Sequence, residues 1–183
     1  MERDVCQCGG KLRVETVPTF RVESLGIDGV DVIDAVQRAI CETCEKIAHI
    51  TIPDLPELIA AAALWRCMIP IKLNAEEIRF LRQALDLQQK QLAEELGVEP
   101  ETVCRWEKRQ NIILEAIEKN FRQYVGAQLS KQAPGIRFDA SVVARMKLQG
   151  PRPCEVIPMS FCRVLLAPEQ ESWNPRRKMA VNS

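Results

Sequence analysis

The chain has 183 residues, 46% of them hydrophobic, and 25 Lys and Arg offset 25 Asp and Glu to a formal net charge of +0. That length fits one medium domain or two small ones with enough apolar side chains for a real core. No run of about 18 apolar residues exists, which excludes a membrane-spanning helix, and the neutral total leaves any partner to be chosen by how charge is distributed.

Residues 1–71 carry 7 basic and 11 acidic groups, residues 72–125 carry 9 and 10, and residues 126–183 carry 9 and 4. An acidic head and a basic tail point to different jobs for the two ends. The opening MERDVCQCGGKLRV lacks the apolar stretch of a secretory signal. The expected compartment is the cytoplasm, where clustered cysteines favour metal over disulfide.

Residues 1–55 read as a small β-rich module. KLRVETV and FRVESLGI alternate apolar and polar residues at period two, as half-buried strands do. IDG suits a turn. DVIDAVQRAIC fits strand or helix, with strand favoured at its RAIC end, and KIAHITIP is a further strand. Within this module Cys6 and Cys8 form a CxC pair and Cys41 and Cys44 a CxxC pair, with 32 residues between the pairs. Zinc takes four soft ligands in a tetrahedron, and two turn-borne thiolate pairs supply them. With all four positions filled by protein the ion is structural, and so small a module draws folding free energy from it. The single histidine, His49, is the alternative ligand, but its setting reads as an ordinary strand. Cys67, Cys104, Cys154 and Cys162 stand in apolar contexts and read as small buried hydrophobes.

Pro53 and Pro56 punctuate the end of the module. PELIAAAALWRCM is rich in helix formers and reads as a helical connector over residues 56–70. IPIKLN follows as an extended link. Asn74 then suits the N-cap of a helix over 75–85, with Glu77 completing a capping box. Helices over 89–96, 100–108 and 111–124 bury residues at spacings of three and four. Gly97 ends the first of these in the left-handed conformation, and Pro100 opens the second.

The short break at Gly97 between two amphipathic helices predicts a helix-turn-helix within an all-α domain over residues 71–125. In that motif the second helix enters the major groove of double-stranded DNA. Glu101, Thr102 and Arg105 face outward on it, with Lys108 and Arg109 at its end. Arginine reads guanine through its two-pronged guanidinium, so Arg105 is the candidate base reader. Gln89, Lys90 and Gln91 open the preceding helix, where amides and side chains hold a phosphate.

LNAEEIRFLRQALDLQQKQLAEELGVEPETVCRWEK resembles the Xre/Cro-type helix-turn-helix, especially as found in MqsA-type antitoxins, where it follows a YgiT-type zinc module. The resemblance spans roughly residues 70–125 and, more loosely, 1–55. It implies a lambda-repressor-like fold, a homodimer on a palindromic operator, contacts at Glu101 and Arg105, repression of its own operon, and a toxin bound by the N-terminal module. The chain departs from that pattern at Asp86, where the family has Gly, at Gln88, where it has Ser or Thr, and at the acidic Glu101.

Beyond Gly126 one short helix is expected around 139–147. CEVIPMSFCRVLLAPEQ reads as two short strands split by Pro158, and the last ten residues as disordered. Phe161, Val164 and Leu165 suit a strand exchanged in a dimer. The expected architecture is α+β: a zinc-binding β module, a helix-turn-helix domain, and a short mixed, partly disordered extension over 126–183. No nucleotide-binding glycine loop, HExxH or GxSxG occurs, so no enzyme is expected. The function expected is a DNA-binding repressor. The alternative is a zinc-dependent protein-interaction module in which the helix-turn-helix is only scaffold.

Overall fold

The computed structural model describes residues 5–150 and 156–176. β1 (Leu12–Arg21) and β2 (Val30–Cys41) form a long antiparallel hairpin. The two strands expected over residues 11–27 are one strand followed by a single 3-10 turn at Glu23–Leu25. Pro18 explains the interrupted periodicity. It has no N–H to donate, and the register shifts between Val17 and Thr19, where Asp34 on the facing strand takes a φ of 50°. Among the described residues β1 pairs only with β2, and an edge strand is where proline is tolerated. DVIDAVQRAIC is strand throughout, and β2 buries Val30, Val32 and, past the bulge, Val36.

The second edge of β2 is divided between two partners. β3 (Ile47–Thr51) runs antiparallel to residues 37–40, and β4 (Met159–Ala167) runs parallel to residues 30–33. β5 (Gln170–Pro175) pairs antiparallel with β4, giving the order β1-β2-β4-β5 with β3 beside β2. Parallel strands need a long crossover, and here the chain between β3 and β4 contains all the α-helices among the described residues.

The C-terminal segment is therefore part of the same sheet as the N-terminal strands. Phe161 and Trp173 are fully buried, and Trp173 Nε1 donates to the carbonyls of Pro53 and Asp54 at 3.2 and 3.1 Å. Glu57 fastens this hairpin to the helical layer: its carboxylate accepts from Arg163 at 2.9 Å, from the Trp173 amide at 3.1 Å and from Ser172. Pro158 precedes the first strand of the pair and does not split two. Phe161, Val164 and Leu165 pair within their own chain's sheet, and Asn174 and Pro175, expected in a disordered end, lie in β5. Cys154 and residues 177–183 fall outside the described residues.

α1 (Leu55–Cys67) starts at Asp54, whose side chain accepts from the Glu57 amide at 3.1 Å, with proline in its first turn. It is central to the core rather than a connector. Ala60, Ala61, Ala62 and Ala63 are all buried, and their small side chains let α1 sit close between β5 on one side and two helices on the other. Those helices are α2 (Ala75–Ala84) and α5 (Glu115–Leu129). Between them lie α3 (Gln89–Leu96) and α4 (Pro100–Glu107), and α6 (Ala140–Arg145) packs on α5.

α5 begins four residues after the expected 111 and continues through Gly126. A Cβ there would lie 2.0 Å from the Phe138 ring, so the glycine is where that ring meets the helix. The turn before α5 buries Ile113 and leaves Ile112 and Leu114 exposed.

Two fully buried arginines hold the link from α1 to α2. Arg66 pairs with Glu77 (2.7 Å) and donates to the carbonyls of Ile71 and Lys72 at 3.1 Å each. Arg122 pairs with Glu118 (2.6 Å) and donates to the carbonyls of Cys67, Ile69 and Ile71 at 2.9, 2.7 and 2.6 Å. Buried backbone carbonyls need donors, and this non-helical stretch takes them from two guanidinium groups.

Candidate nucleic-acid interface and metal centre

The helical hairpin forms for local reasons. Asn74 Oδ1 accepts from the Glu77 amide and Glu77 from the Asn74 amide, both at 2.8 Å, closing the expected capping box. Asp86 takes a φ of 55°, which is why glycine suits that position and why a residue with a short polar side chain can replace it. Gln88 does not cap α3 with its own side chain; Gln91 Oε1 instead reaches back to the Gln88 amide at 2.8 Å. Gly97 ends α3 at φ 64°, and the Val98 amide closes the turn on the Ala93 carbonyl at 3.0 Å. Leu92, Ala93, Leu96, Val103 and Trp106 fill the seam between α3 and α4.

Glu107, at the end of α4, ties three helices together. Its carboxylate accepts from Arg82 of α2 at 2.6 and 3.1 Å and from Gln89 of α3 at 2.9 Å, and Arg79 donates to its carbonyl at 3.1 Å. Burial works against its charge, but the Arg82 and Gln89 hydrogen bonds hold its carboxyl below the usual range. The sequence showed Glu107 only as one residue of the RWEK stretch, with nothing to mark the convergence upon it.

Among the residues proposed to meet DNA, Lys90, Gln91, Glu101, Arg105 and Lys108 are exposed and Thr102 is half-buried. Gln89 is turned inward onto Glu107. Arg109 is exposed but ion-paired with Glu76 of α2, at a φ of 60°. Arg105 is not tucked into the fold, and it makes no ion pair among the described residues.

Residues 78–117 match the family model described as helix-turn-helix. No curated protein and no solved structure matches the chain. The helix-turn-helix thus runs from within α2 to the start of α5, and it is a unit of the kind that binds double-stranded DNA.

The second site lies at the far end of the hairpin from the β2–β4 pairing. Cys6, Cys8, Cys41 and Cys44 bring their sulfurs within 4.8 Å of one another, with Cys6–Cys44 at 3.7 Å and Cys8–Cys41 at 3.4 Å. A tetrahedral ion with bonds of about 2.3 Å sets sulfurs about 3.8 Å apart, so the four can hold a metal ion. Each pair rides on a turn: the Cys6 amide donates to the Gly10 carbonyl at 2.9 Å, and the Cys41 amide to the Lys46 carbonyl at 3.0 Å.

The Cys44 and Thr43 amides point at Cys41 Sγ from 3.5 and 3.4 Å and lower its thiol to about 6. The Gly10 amide favours the Cys8 thiolate, but the three neighbouring thiols outweigh it and push Cys8 up to about 12. Four thiols in so small a space give up all their protons only to a cation. His49 is an exposed residue of β3 outside the four-sulfur cluster, although it lines the cavity beside it.

Gly10 is where the two turns touch. A Cβ there would lie 2.5 Å from Thr43 Oγ1 and 2.6 Å from Cys41 Sγ. Gly10→Ala is expected to weaken metal binding by about 10-fold or more, as displaced ligand supports do, in a competition titration against a chromophoric chelator. Of the other cysteines, Cys67 is buried as expected, with burial pushing its thiol up to about 12; Cys104 and Cys162 are half-buried.

Proposed function

We propose that the protein is a sequence-specific DNA-binding repressor that acts as a homodimer on a palindromic operator in its own promoter, with one structural zinc ion held by Cys6, Cys8, Cys41 and Cys44. The observation that carries this reading is the helix-turn-helix with Arg105 exposed on its second helix. Arg105 supplies base recognition. Thr102, Lys108 and Lys90 supply backbone and phosphate contacts, with Gln91 at the start of α3. Gln89 positions α3 against α4 through Glu107. Glu101 accepts from a cytosine amino group. Arg109 reaches phosphate only when released from Glu76. The resemblance to MqsA-type antitoxins supports a further assignment, as the antitoxin and autoregulator of a two-gene operon whose toxin docks on the zinc-bearing sheet.

The test is Arg105→Ala against a duplex from the protein's own promoter. Loss of one two-pronged base contact costs about 1–3 kcal/mol, some 5- to 150-fold in affinity. The melting temperature should not move, because the side chain is exposed. Unchanged affinity would remove Arg105 as the base reader. A salt dependence close to zero would remove the phosphate contacts, and with them the repressor reading.

A further inference from the structure

The four clustered cysteines are not equally open to solvent. Cys6 and Cys44 are half-buried and Cys41 is fully buried, whereas Cys8 is exposed. A cavity of about 650 Å³ beside the cluster carries Cys6, Cys8 and Cys44 in its wall, and of these Cys8 alone is exposed. A small hydrophilic oxidant entering there meets Cys8 first. Cys41 Sγ lies 3.4 Å from Cys8 Sγ, on the other turn. The two turns are already in contact through Gly10, where a Cβ would meet Cys41 Sγ at 2.6 Å.

We propose that Cys8 is a redox-modification site: a peroxide oxidises it, Cys41 traps the product as a disulfide, and the metal is lost with release of β3. The proposal deepens the zinc assignment and rests on it. Thiolates rather than thiols attack peroxide, and metal ligands are thiolates already. The Cys8 sulfur attacks one peroxide oxygen, the O–O bond breaks, and the departing hydroxide takes a proton to become water. Cys8 is then a sulfenic acid. The Cys41 thiolate attacks its sulfur, the S–O bond breaks, and a second hydroxide leaves as water with another proton. Two thiolates are oxidised to one disulfide as one peroxide is reduced to two waters. A structural zinc needs four protein ligands, and two thiolates remain.

The disulfide does not replace the metal evenly. Cys8 lies on the turn leading into β1, and Leu12, the first residue of β1, faces Cys41 across the ladder. The new bond therefore keeps β1 on β2. Cys44 lies on the turn leading into β3, and a second peroxide would be needed to join it to Cys6. β3 buries none of its five residues and meets β2 only between residues 37 and 40. Oxidation thus frees β3 alone, where chelation loosens both strands.

The test treats the full-length, zinc-loaded protein with one equivalent of hydrogen peroxide. Each chain oxidised should release its zinc to a chromophoric chelator and lose the mass of two hydrogen atoms. Tandem mass spectrometry of the joined tryptic peptides 4–11 and 39–46 should place the link between Cys8 and Cys41. Amide exchange should show protection lost in β3 and kept in Leu12–Val17. A first disulfide between any other pair of cysteines, or zinc loss without a disulfide, overturns the site. So does a cluster whose thiols survive the peroxide. Protection lost in Leu12–Val17 as well overturns the selective release of β3. If the purified protein carries no zinc, the metal assignment fails, and the mapped link still decides the reactive pair.

Discussion

Replacing Arg122 with methionine is expected to destabilise the folded chain by about 3–5 kcal/mol, the cost of removing one partner of a buried ion pair. The change leaves the fully buried Glu118 carboxylate without its cation, when Glu118 Oε2 already has no hydrogen-bond partner. It also removes one donor from each of the carbonyls of Cys67, Ile69 and Ile71. Urea denaturation measures the loss. Adding Glu118→Leu should recover only part of it. A hydrophobic pair can replace a buried ion pair at little cost, but the Cys67 carbonyl would lack a donor, the carbonyls of Ile69 and Ile71 would each keep one donor (the Ile71 amide at 2.8 Å and Arg66 at 3.1 Å) and lose another, and the Leu73 amide would lose its acceptor, hydrogen bonds of about 1 kcal/mol each. Full recovery in the double variant would show that the guanidinium contacts to the backbone contribute nothing.

Stripping the metal is expected to have a large effect that stays local. Structural zinc is worth on the order of 10 kcal/mol in isolated zinc-finger peptides, which unfold without it. Here β2 is anchored at its first half by β4 and by Val30, Val32 and Val36 in the core. The cysteines lie at the other end, where all five residues of β3 are exposed. Chelation, or Cys41→Ser, should therefore abolish amide-exchange protection in β3 and in the Leu12–Val17 half of β1, while α2 to α5 keep theirs. Elemental analysis should give one zinc per chain. Unaltered exchange after chelation would rule out a structural metal at the cluster.

Where the sequence could be read, the signal was short-range. The capping box at Asn74 and Glu77 spans three residues, and Gly97 needs only its own backbone freedom. Leu92, Ala93, Val103 and Trp106 show their burial through helical spacing. The two cysteine pairs are each legible as a turn, and the chemistry of thiolates implies that the pairs meet. Asp86 is instructive: it breaks the glycine pattern at that position, yet its backbone takes the conformation the pattern requires.

What escaped was long-range. Gln89 and Arg109 have the composition of DNA contacts, but one is bonded to Glu107 and the other to Glu76, residues 18 and 33 positions away. An alanine-rich helix reads equally well as a linker or as a core helix, because alanine's small size has value only against a neighbour that approaches closely.

By itself the sequence determined the helix-turn-helix and the presence of a four-thiol set, because hydrophobic periodicity, capping and turn chemistry act within about ten residues and hold in any surroundings. Only the tertiary structure decided that β4 joins β2, that α1 lies at the centre, and that Arg66 and Arg122 are buried. A buried guanidinium is tolerable only where carboxylates and carbonyls from elsewhere in the chain converge on it, and that convergence has no local signature.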